Sequence, residues 1–156
     1  MQIDTDVWLS AKERADRSDL ARNLRHRLTL FYLIYYADLP IGWHSSYQID
    51  AETIYMFDSG IVPDHQGKGV YPALLLWLLT QFKARGFQKV TSQHHASNNK
   101  VILPKLKAGF LITGFTLDES VGLMVQLTYA FHPLRKHVYE FRTGYKRPDE
   151  AIRKFL

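Results

Sequence analysis

The stretch IVPDHQGKGVYP, residues 61–72, constrains this chain more than any other feature of its sequence. An apolar run stops at Pro63, two glycines then bracket Lys68, and a long apolar stretch follows. Glycines permit left-handed torsions and a close approach of the backbone to another group. Between a strand and a helix, such a turn exposes N–H groups at the positive end of the helix. It therefore predicts a phosphate-binding site, although a lone Gly-x-Gly is also typical of tight turns that bind nothing.

Two common phosphate-binding motifs do not fit this turn. A P-loop requires Gly-x-x-x-x-Gly-Lys followed by Ser or Thr, but Gly60 lies too far from Gly67. In addition, the residue after the lysine is Gly69, so no hydroxyl is placed for a magnesium ion. A Rossmann turn requires a third glycine at the position that Pro72 occupies. Both motifs are therefore excluded.

The order of strand and helix patterns predicts an α+β fold. β-Branched and aromatic runs predict strands at residues 28–37, 41–48, 53–62, 88–95 and 121–131, with another strand opening at Gly109. Capping residues and apolar periodicity predict helices at residues 10–26, 71–85, 98–108, 133–141 and 148–155. Because strands cluster first and then alternate with helices, we expect a mixed, mostly antiparallel central sheet flanked by helices.

Three prolines set expectations about element boundaries. Pro40 predicts a turn at residues 38–40 between the first two strands. Pro72 fits the first turn of its helix, where its missing N–H has no intrahelical partner. Pro104 either starts or interrupts the helix at residues 98–108, which leaves the limits of that helix open.

Length and composition predict a single domain over residues 1–156, and the C-terminal helix patterns predict a helical extension at residues 132–156. The absence of cysteine excludes a disulfide scaffold and a thiolate nucleophile, and it fits a cytoplasmic location. The longest apolar run, residues 73–79, is too short to cross a bilayer, so no membrane partner is expected. The net charge of +5 favours an anionic partner.

The glycine turn and a second segment together resemble one protein family. In the turn, Gln66-Gly-Lys-Gly-Val70 follows a strand end at Ile61-Val-Pro63 and precedes an apolar helix. Downstream, residues 98–110 read NNKVILPKLKAGF, an asparagine followed by a helix pattern and Lys-x-Gly-Phe. In this order the segments resemble the acyl-CoA loop and the following helix and strand of the Gcn5-related N-acetyltransferase (GNAT) family. The resemblance covers about residues 28–131 and implies the GNAT fold.

This resemblance implies acetyl-CoA as cosubstrate and no metal. The residues that it implies for the cofactor are Ile61, Val62, Gln66, Gly67, Lys68, Gly69, Val70, Tyr71 and Asn98. The turn would bind the pyrophosphate, and Asn98 would hold the pantetheine arm. A backbone N–H at Ile61 or Val62 would stabilise the oxyanion of the tetrahedral intermediate. Tyr71 replaces the small residue usual in the family, and its bulk either crowds the phosphate or stacks on the cofactor.

Four residues are candidates for proton transfer. Lys105 occupies a helix position where the family often has a tyrosine that protonates the departing thiolate. Its ammonium could donate instead, but Pro104 could also turn it outward. Asp58, His94 and His95 are candidates for the base that deprotonates an acceptor amine. Because neighbouring strand residues face opposite sides, at most one of the two histidines faces the cleft.

Two function classes remain open from the sequence. The first is an N-acetyltransferase that moves the acetyl group of acetyl-CoA to a primary amine of a small molecule or protein, by direct attack in a ternary complex. The second is a non-catalytic acyl-CoA-binding sensor or regulatory module, which the missing tyrosine favours. The basic, aromatic residues 132–147 could contact RNA phosphates, but their pattern favours an amphipathic helix, so no nucleic-acid partner is expected. A homodimer is compatible with the sequence.

Overall fold

The computed structural model describes residue 11 and residues 27–153. Apart from residue 11, the helix predicted at residues 10–26 lies outside the described residues. The strands are β1 Thr29–Tyr36, β2 Leu39–Gln48, β3 Thr53–Ile61, β4 Lys89–His95, β5 Leu111–Asp118 and β6 Gly122–Ala130. The helices are α1 Val70–Ala84, α2 Asn99–Lys107, α3 Pro133–Arg142 and α4 Glu150–Arg153, with a short 3₁₀ turn at Pro63–His65.

The six described strands form one sheet in the order β1-β2-β3-β4-β6-β5. β1, β2 and β3 are an antiparallel meander, as the short turns predict. β3 and β4 run parallel, whereas β6 pairs antiparallel with both β4 and β5. This arrangement confirms the predicted α+β class with a mixed, mostly antiparallel sheet. A parallel pair requires a crossover, and α1 supplies it between β3 and β4.

The core lies between α1 and one face of the sheet. Leu75, Leu78 and Phe82 of α1 are fully buried, together with Ile54 of β3 and Val90 of β4. Each side chain of this size contributes about 1.5–3 kcal/mol when it leaves water. α1 is therefore held firmly on the sheet, and its N-terminus is held with it at the end of β3.

Two proline expectations were wrong. The predicted turn at residues 38–40 is tighter, because Ala37 adopts a positive φ of 51° and β2 already begins at Leu39. Pro40 is therefore inside β2, at an end that lies beyond the pairing with β3. Pro104 neither starts nor interrupts α2, which runs through it. Within a helix, proline lacks the N–H that would bond the carbonyl one turn earlier, and its ring crowds that carbonyl, yet here the helix continues to Lys107.

The C-terminal segment packs on the sheet, and α3 contacts β5 and β6. Arg135 of α3 donates to the carboxylate of Glu52 at 3.0 Å, which links the segment to the turn before β3. Of the helices in the described part of the chain, none is long and apolar enough to cross a membrane.

Candidate active site

The glycine turn between β3 and α1 presents its backbone to open space. Gly67 and Gly69 have φ values of 72° and 80°, and Gly69 is the N-cap of α1. A Cβ added at either glycine would meet no atom within 4 Å. The first N–H groups of a helix have no intrahelical acceptor, so these donors point toward the open side. Gln66 fixes the turn, because its amide nitrogen donates to the carbonyl of Ile61 at 2.8 Å.

A gap opens between β3 and β4 beside this turn. β4 pairs with β6 along its whole length, but it pairs with β3 only at residues 53–55 of that strand. The N–H of Val62 donates to the carbonyl of Ile41 at 2.9 Å, so it is used within the sheet. Because N–H groups alternate in direction along a strand, the N–H of Ile61 points away from β2 and toward the gap. Of the two N–H groups expected to stabilise the oxyanion, that of Ile61 therefore faces the gap and that of Val62 does not.

A cavity of about 120 Å³ lies in this gap. Its lining residues are Met56, Phe57, Asp58, Ser59, Tyr71, His94, Asn98, Val101 and Lys105. The cavity therefore brings together Asp58, His94 and Lys105 from the predicted catalytic set, with Tyr71 and Asn98 from the predicted cofactor set. His95 does not line it, because that side chain is exposed on the other face of β4, where its Nδ1 lies 2.7 Å from Ser97 Oγ. The remaining predicted residues, Ile61, Val62, Gln66, Lys68 and Val70, belong to the end of β3 and the glycine turn.

Lys105 points inward, so Pro104 does not turn it toward solvent. Only 1% of Lys105 is exposed, and its ammonium donates to the hydroxyl oxygen of Ser92 at 2.6 Å. The nitrogen also lies 5.3 Å from the centre of the Phe110 ring, a distance suited to a cation–π contact. Among the described residues, no carboxylate pairs with it. Burial lowers the pKa of Lys105 to about 7, so both protonation states are accessible near neutral pH.

The two predicted base candidates in the cavity differ in environment. His94 is half-buried, and its Nε2 lies 3.2 Å from Ser92 Oγ. Burial and the Lys105 ammonium lower the pKa of His94 to about 3, so this imidazole is neutral at neutral pH. Asp58 is exposed at the rim, and one of its carboxylate oxygens accepts a hydrogen bond from Trp43 Nε1 at 2.8 Å.

Tyr71 and Asn98 line the cavity from the two helices. Asn98 is the N-cap of α2, yet its side chain makes no capping hydrogen bond. Its amide is therefore available to a ligand in the gap. Tyr71 stands in the first turn of α1, and burial raises the pKa of its hydroxyl, which stays protonated.

A group of buried polar residues beside the cavity was not found from the sequence. His44 is fully buried in β2, with its Nδ1 2.7 Å from Ser59 Oγ and its Nε2 hydrogen-bonded to Ser46 Oγ. Burial, followed by the Lys105 ammonium, lowers the pKa of His44 to about 4, although Asp58 opposes this shift. The available signal was the two-residue spacing of His44 and Ser46, which puts both on the core face of their strand.

Among the described residues no cluster is suited to a metal ion, and a second, larger cavity lacks the predicted site residues. Within residues 27–153, no three His, Asp or Glu side chains are arranged to hold a metal ion. A larger cavity of about 550 Å³ lies between the end of α2, the start of β5 and α3. It contains none of the predicted site residues, and its walls include Phe110, Lys136 and Glu140.

A mixed sheet whose central strands diverge beside a glycine turn at a helix N-terminus defines a protein of the acyl-CoA N-acyltransferase class. The sequence model described as the acetyltransferase (GNAT) family matches residues 1–110, and the chain therefore belongs to that family. No curated protein sequence matches the chain significantly.

Solved structures share this fold at low sequence identity. A GNAT family acetyltransferase from Elizabethkingia anophelis with acetyl-CoA bound matches with a TM-score of 0.64 and 20% sequence identity. The matched region covers 72% of this chain and 82% of that protein. A Bacillus subtilis acetyltransferase in complex with CoA has a TM-score of 0.62 and 17% identity, with coverage of 76% and 86%. The ribosomal-protein-S18-alanine N-acetyltransferase from Escherichia coli has a TM-score of 0.61 and 19% identity, with coverage of 72% and 75%.

Proposed function

We propose that this protein transfers the acetyl group of acetyl-CoA to a primary amine by direct attack in a ternary complex. The observation that carries the proposal is the cavity between the divergent strands β3 and β4, which is lined by the buried Lys105 and by Tyr71, the residue that follows the glycine turn. Two structures of the same fold contain acetyl-CoA or CoA, which supports the same cosubstrate here. The pyrophosphate would bind the N–H groups at Gly67–Val70, and the pantetheine arm would pass Asn98 toward the cavity.

In this mechanism a separate group of the protein acts on the oxyanion, on the amine proton and on the departing thiolate. The neutral amine nitrogen attacks the thioester carbon, and the N–H of Ile61 stabilises the oxyanion that forms. Asp58, at the cavity rim, accepts the proton that the amine must lose. As the carbon–sulfur bond breaks, Lys105 donates a proton to the thiolate. A general acid works best when its pKa lies near the working pH, which a pKa of about 7 satisfies.

Lys105 also favours a catalytic role over the alternative of an acyl-CoA-binding sensor. A buried ammonium without a carboxylate partner destabilises the fold, since burial favours its neutral form. A module that only binds the cofactor gains little from such a group. An enzyme gains a proton donor beside the thiolate, which replaces the family's usual tyrosine.

The rim of the cavity favours a cationic acceptor. The Asp58 carboxylate is exposed there, and Phe57 and Trp43 expose aromatic surface next to it. A carboxylate attracts the ammonium form of an incoming amine, and aromatic faces attract cations. We therefore expect a primary amine of a small molecule or of a protein as the acceptor.

A panel of polyamines, amino acids and peptides with free N-termini or lysines, assayed for CoA release, tests this function. At least one amine should accelerate CoA release and appear as its N-acetyl product by mass spectrometry. The matched variant Asp58→Asn should lower the rate with that amine while acetyl-CoA still binds in isothermal titration. Tight acetyl-CoA binding without transfer to any amine would favour the sensor instead.

A further inference from the structure

A chain of three side chains leads from the cavity into the core. Ser59 lines the cavity, and its hydroxyl lies 2.7 Å from Nδ1 of the fully buried His44. Nε2 of the same ring bonds the buried Ser46 on the far side. His44 itself does not line the cavity, so a ligand there can contact the Ser59 hydroxyl and, through it, the imidazole. This is the order of nucleophile, base and orienting group found in hydrolases with an activated serine.

The neutral form of His44 leaves one ring nitrogen able to accept the Ser59 proton. Burial and the Lys105 ammonium hold the pKa of His44 at about 4, so the ring is neutral at neutral pH. A neutral imidazole has one N–H donor and one acceptor nitrogen. If Nε2–H donates to Ser46, then Nδ1 is the acceptor for the Ser59 hydroxyl, and each ring nitrogen has a partner.

Another Ser–His contact, at the surface, has the same distance but lacks these features. His95 Nδ1 lies 2.7 Å from Ser97 Oγ, the same distance as in the buried pair. Both residues are exposed, and neither lines the cavity. The two pairs therefore share their contact distance and differ in their access to a bound thioester.

We propose that Ser59 is a second acyl acceptor, so that the protein hydrolyses acyl-CoA through an ester on Ser59 when no amine is bound. This inference rests on the proposed function for one point, the delivery of the thioester to the cavity. The ligand class is a short acyl-CoA, because a cavity of about 120 Å³ has room for a small acyl group.

The reaction balances without a further cofactor. The Ser59 oxygen attacks the thioester carbon while His44 Nδ1 takes the hydroxyl proton, and the carbon–oxygen bond forms. The carbon–sulfur bond then breaks, and the thiolate leaves with a proton from Lys105. Water next attacks the ester and gives one proton to the now neutral Lys105, and as the carbon–oxygen bond to Ser59 breaks, His44 returns its proton to the Ser59 oxygen and the carboxylic acid is released. The sum is acyl-CoA plus water giving the acid and CoA, with Ser59, His44 and Lys105 back in their starting states, and the acid then loses its proton to solvent.

The test uses the absence of cysteine from this chain. In the Ser59→Cys variant the introduced thiol is unique, and its acetyl thioester can be located by peptide mass spectrometry. Ser97→Cys is the matched control, because it places a thiol on the exposed Ser–His pair. With acetyl-CoA and no amine, Ser59→Cys should acquire one acetyl group at least about tenfold faster than Ser97→Cys.

Wild type and Ser59→Ala are then compared for CoA release without amine, with circular dichroism as a check on folding. Release should fall by at least roughly 10²-fold in Ser59→Ala, because the variant loses the nucleophile and with it the proton transfer to His44, a step that alone contributes about this factor. Equal labelling of the two cysteine variants, or equal release by wild type and Ser59→Ala, overturns the inference. These results are independent of transfer to amines. If the protein acetylates an amine but shows neither effect, only the Ser59 proposal fails. If it hydrolyses acetyl-CoA but uses no amine, the Ser59 proposal stands and the proposed amine acetylation fails.

Discussion

The two ends of the candidate site are built in opposite ways. At the glycine turn the donors are backbone N–H groups, the surroundings are open, and Gly67 and Gly69 supply the left-handed torsions. At the cavity the functional groups are side chains, and Lys105 and His44 are almost fully buried. The turn thus suits a phosphate that stays partly in water. The cavity suits a reacting bond, because charges and hydrogen bonds act more strongly away from water.

The two ends also differ in what they cost the fold. A glycine in a left-handed turn adopts that conformation without a steric penalty. Burial lowers the pKa of Lys105 from 10.5 to about 7. At about 1.4 kcal/mol for each pKa unit, the charged lysine lowers the free energy of unfolding by about 5 kcal/mol at low pH. The burial is tolerated only if the rest of the core compensates, and this contrast can be tested directly.

The largest expected effect is the pH dependence of stability that Lys105 imposes. Its folded pKa of about 7 lies below its unfolded value of 10.5, so the unfolded chain binds more protons between these two values. The free energy of unfolding should therefore rise with pH from about 7 to about 10, by up to about 4 kcal/mol. Below pH 7 the penalty is fully present and this contribution is flat.

Urea unfolding of wild type and Lys105→Met at several pH values measures this contribution. The difference between their free energies of unfolding should shift in favour of wild type across that range. Tyr71 has a raised pKa and lowers stability above about pH 10 in both proteins, so the comparison stays below that value. A constant difference from pH 7 to 9.5 would mean that Lys105 titrates normally.

The same variant also tests the proposed acid. Without a proton donor to the thiolate, kcat of Lys105→Met should fall by roughly 10²–10⁴-fold, while the affinity for acetyl-CoA changes little. Lys107→Met, at an exposed position of the same helix, is the control and should retain its rate. An equal loss of acetyl-CoA affinity would instead identify Lys105 as a contact of the cofactor.

At the other end of the site, a carboxylate should oppose phosphate binding. Gly69→Glu should weaken acetyl-CoA binding by about 1–4 kcal/mol, the range for like charges near a protein surface. Gly86→Glu is a matched control, because Gly86 also has a positive φ, at 89°, and open space around it, but lies at the opposite end of α1. Isothermal titration of both folded variants should separate charge repulsion from backbone strain. Equal affinities for acetyl-CoA in the two variants would mean that the pyrophosphate does not bind at this turn.

The smallest expected effect belongs to Asn98, which lies between the two ends. Its side chain makes no capping bond, so its loss should leave α2 intact and remove one hydrogen bond to the pantetheine arm. Asn98→Ala should weaken acetyl-CoA binding by about 0.5–1.5 kcal/mol. Asn99→Ala, at the next and exposed position, is the control. Unchanged affinity in Asn98→Ala within error would exclude this contact.

Much of the fold was predictable because its signals are local. The glycines at 67 and 69, the apolar run of α1 and the alternating strands each act within a few residues. The errors at Pro40 and Pro104 have different causes. Pro40 lies beyond the pairing of β2 with β3, so its missing N–H costs no bond to that strand, whereas the helix around Pro104 continues although one bond within it is lost.

The sequence by itself determined the glycine turn between β3 and α1, the order of the described elements and the membership in one family. The tertiary structure decided which polar side chains meet at the cavity. A register shift between β2 and β3 at Ser45/Ser46 sets His44 opposite Ser59; without that shift, His44 would lie opposite Asp58. Side chains alternate along a strand, so a slip of one residue turns every side chain to the other face. No local pattern in the chain records that slip, because it arises only when two strands pair.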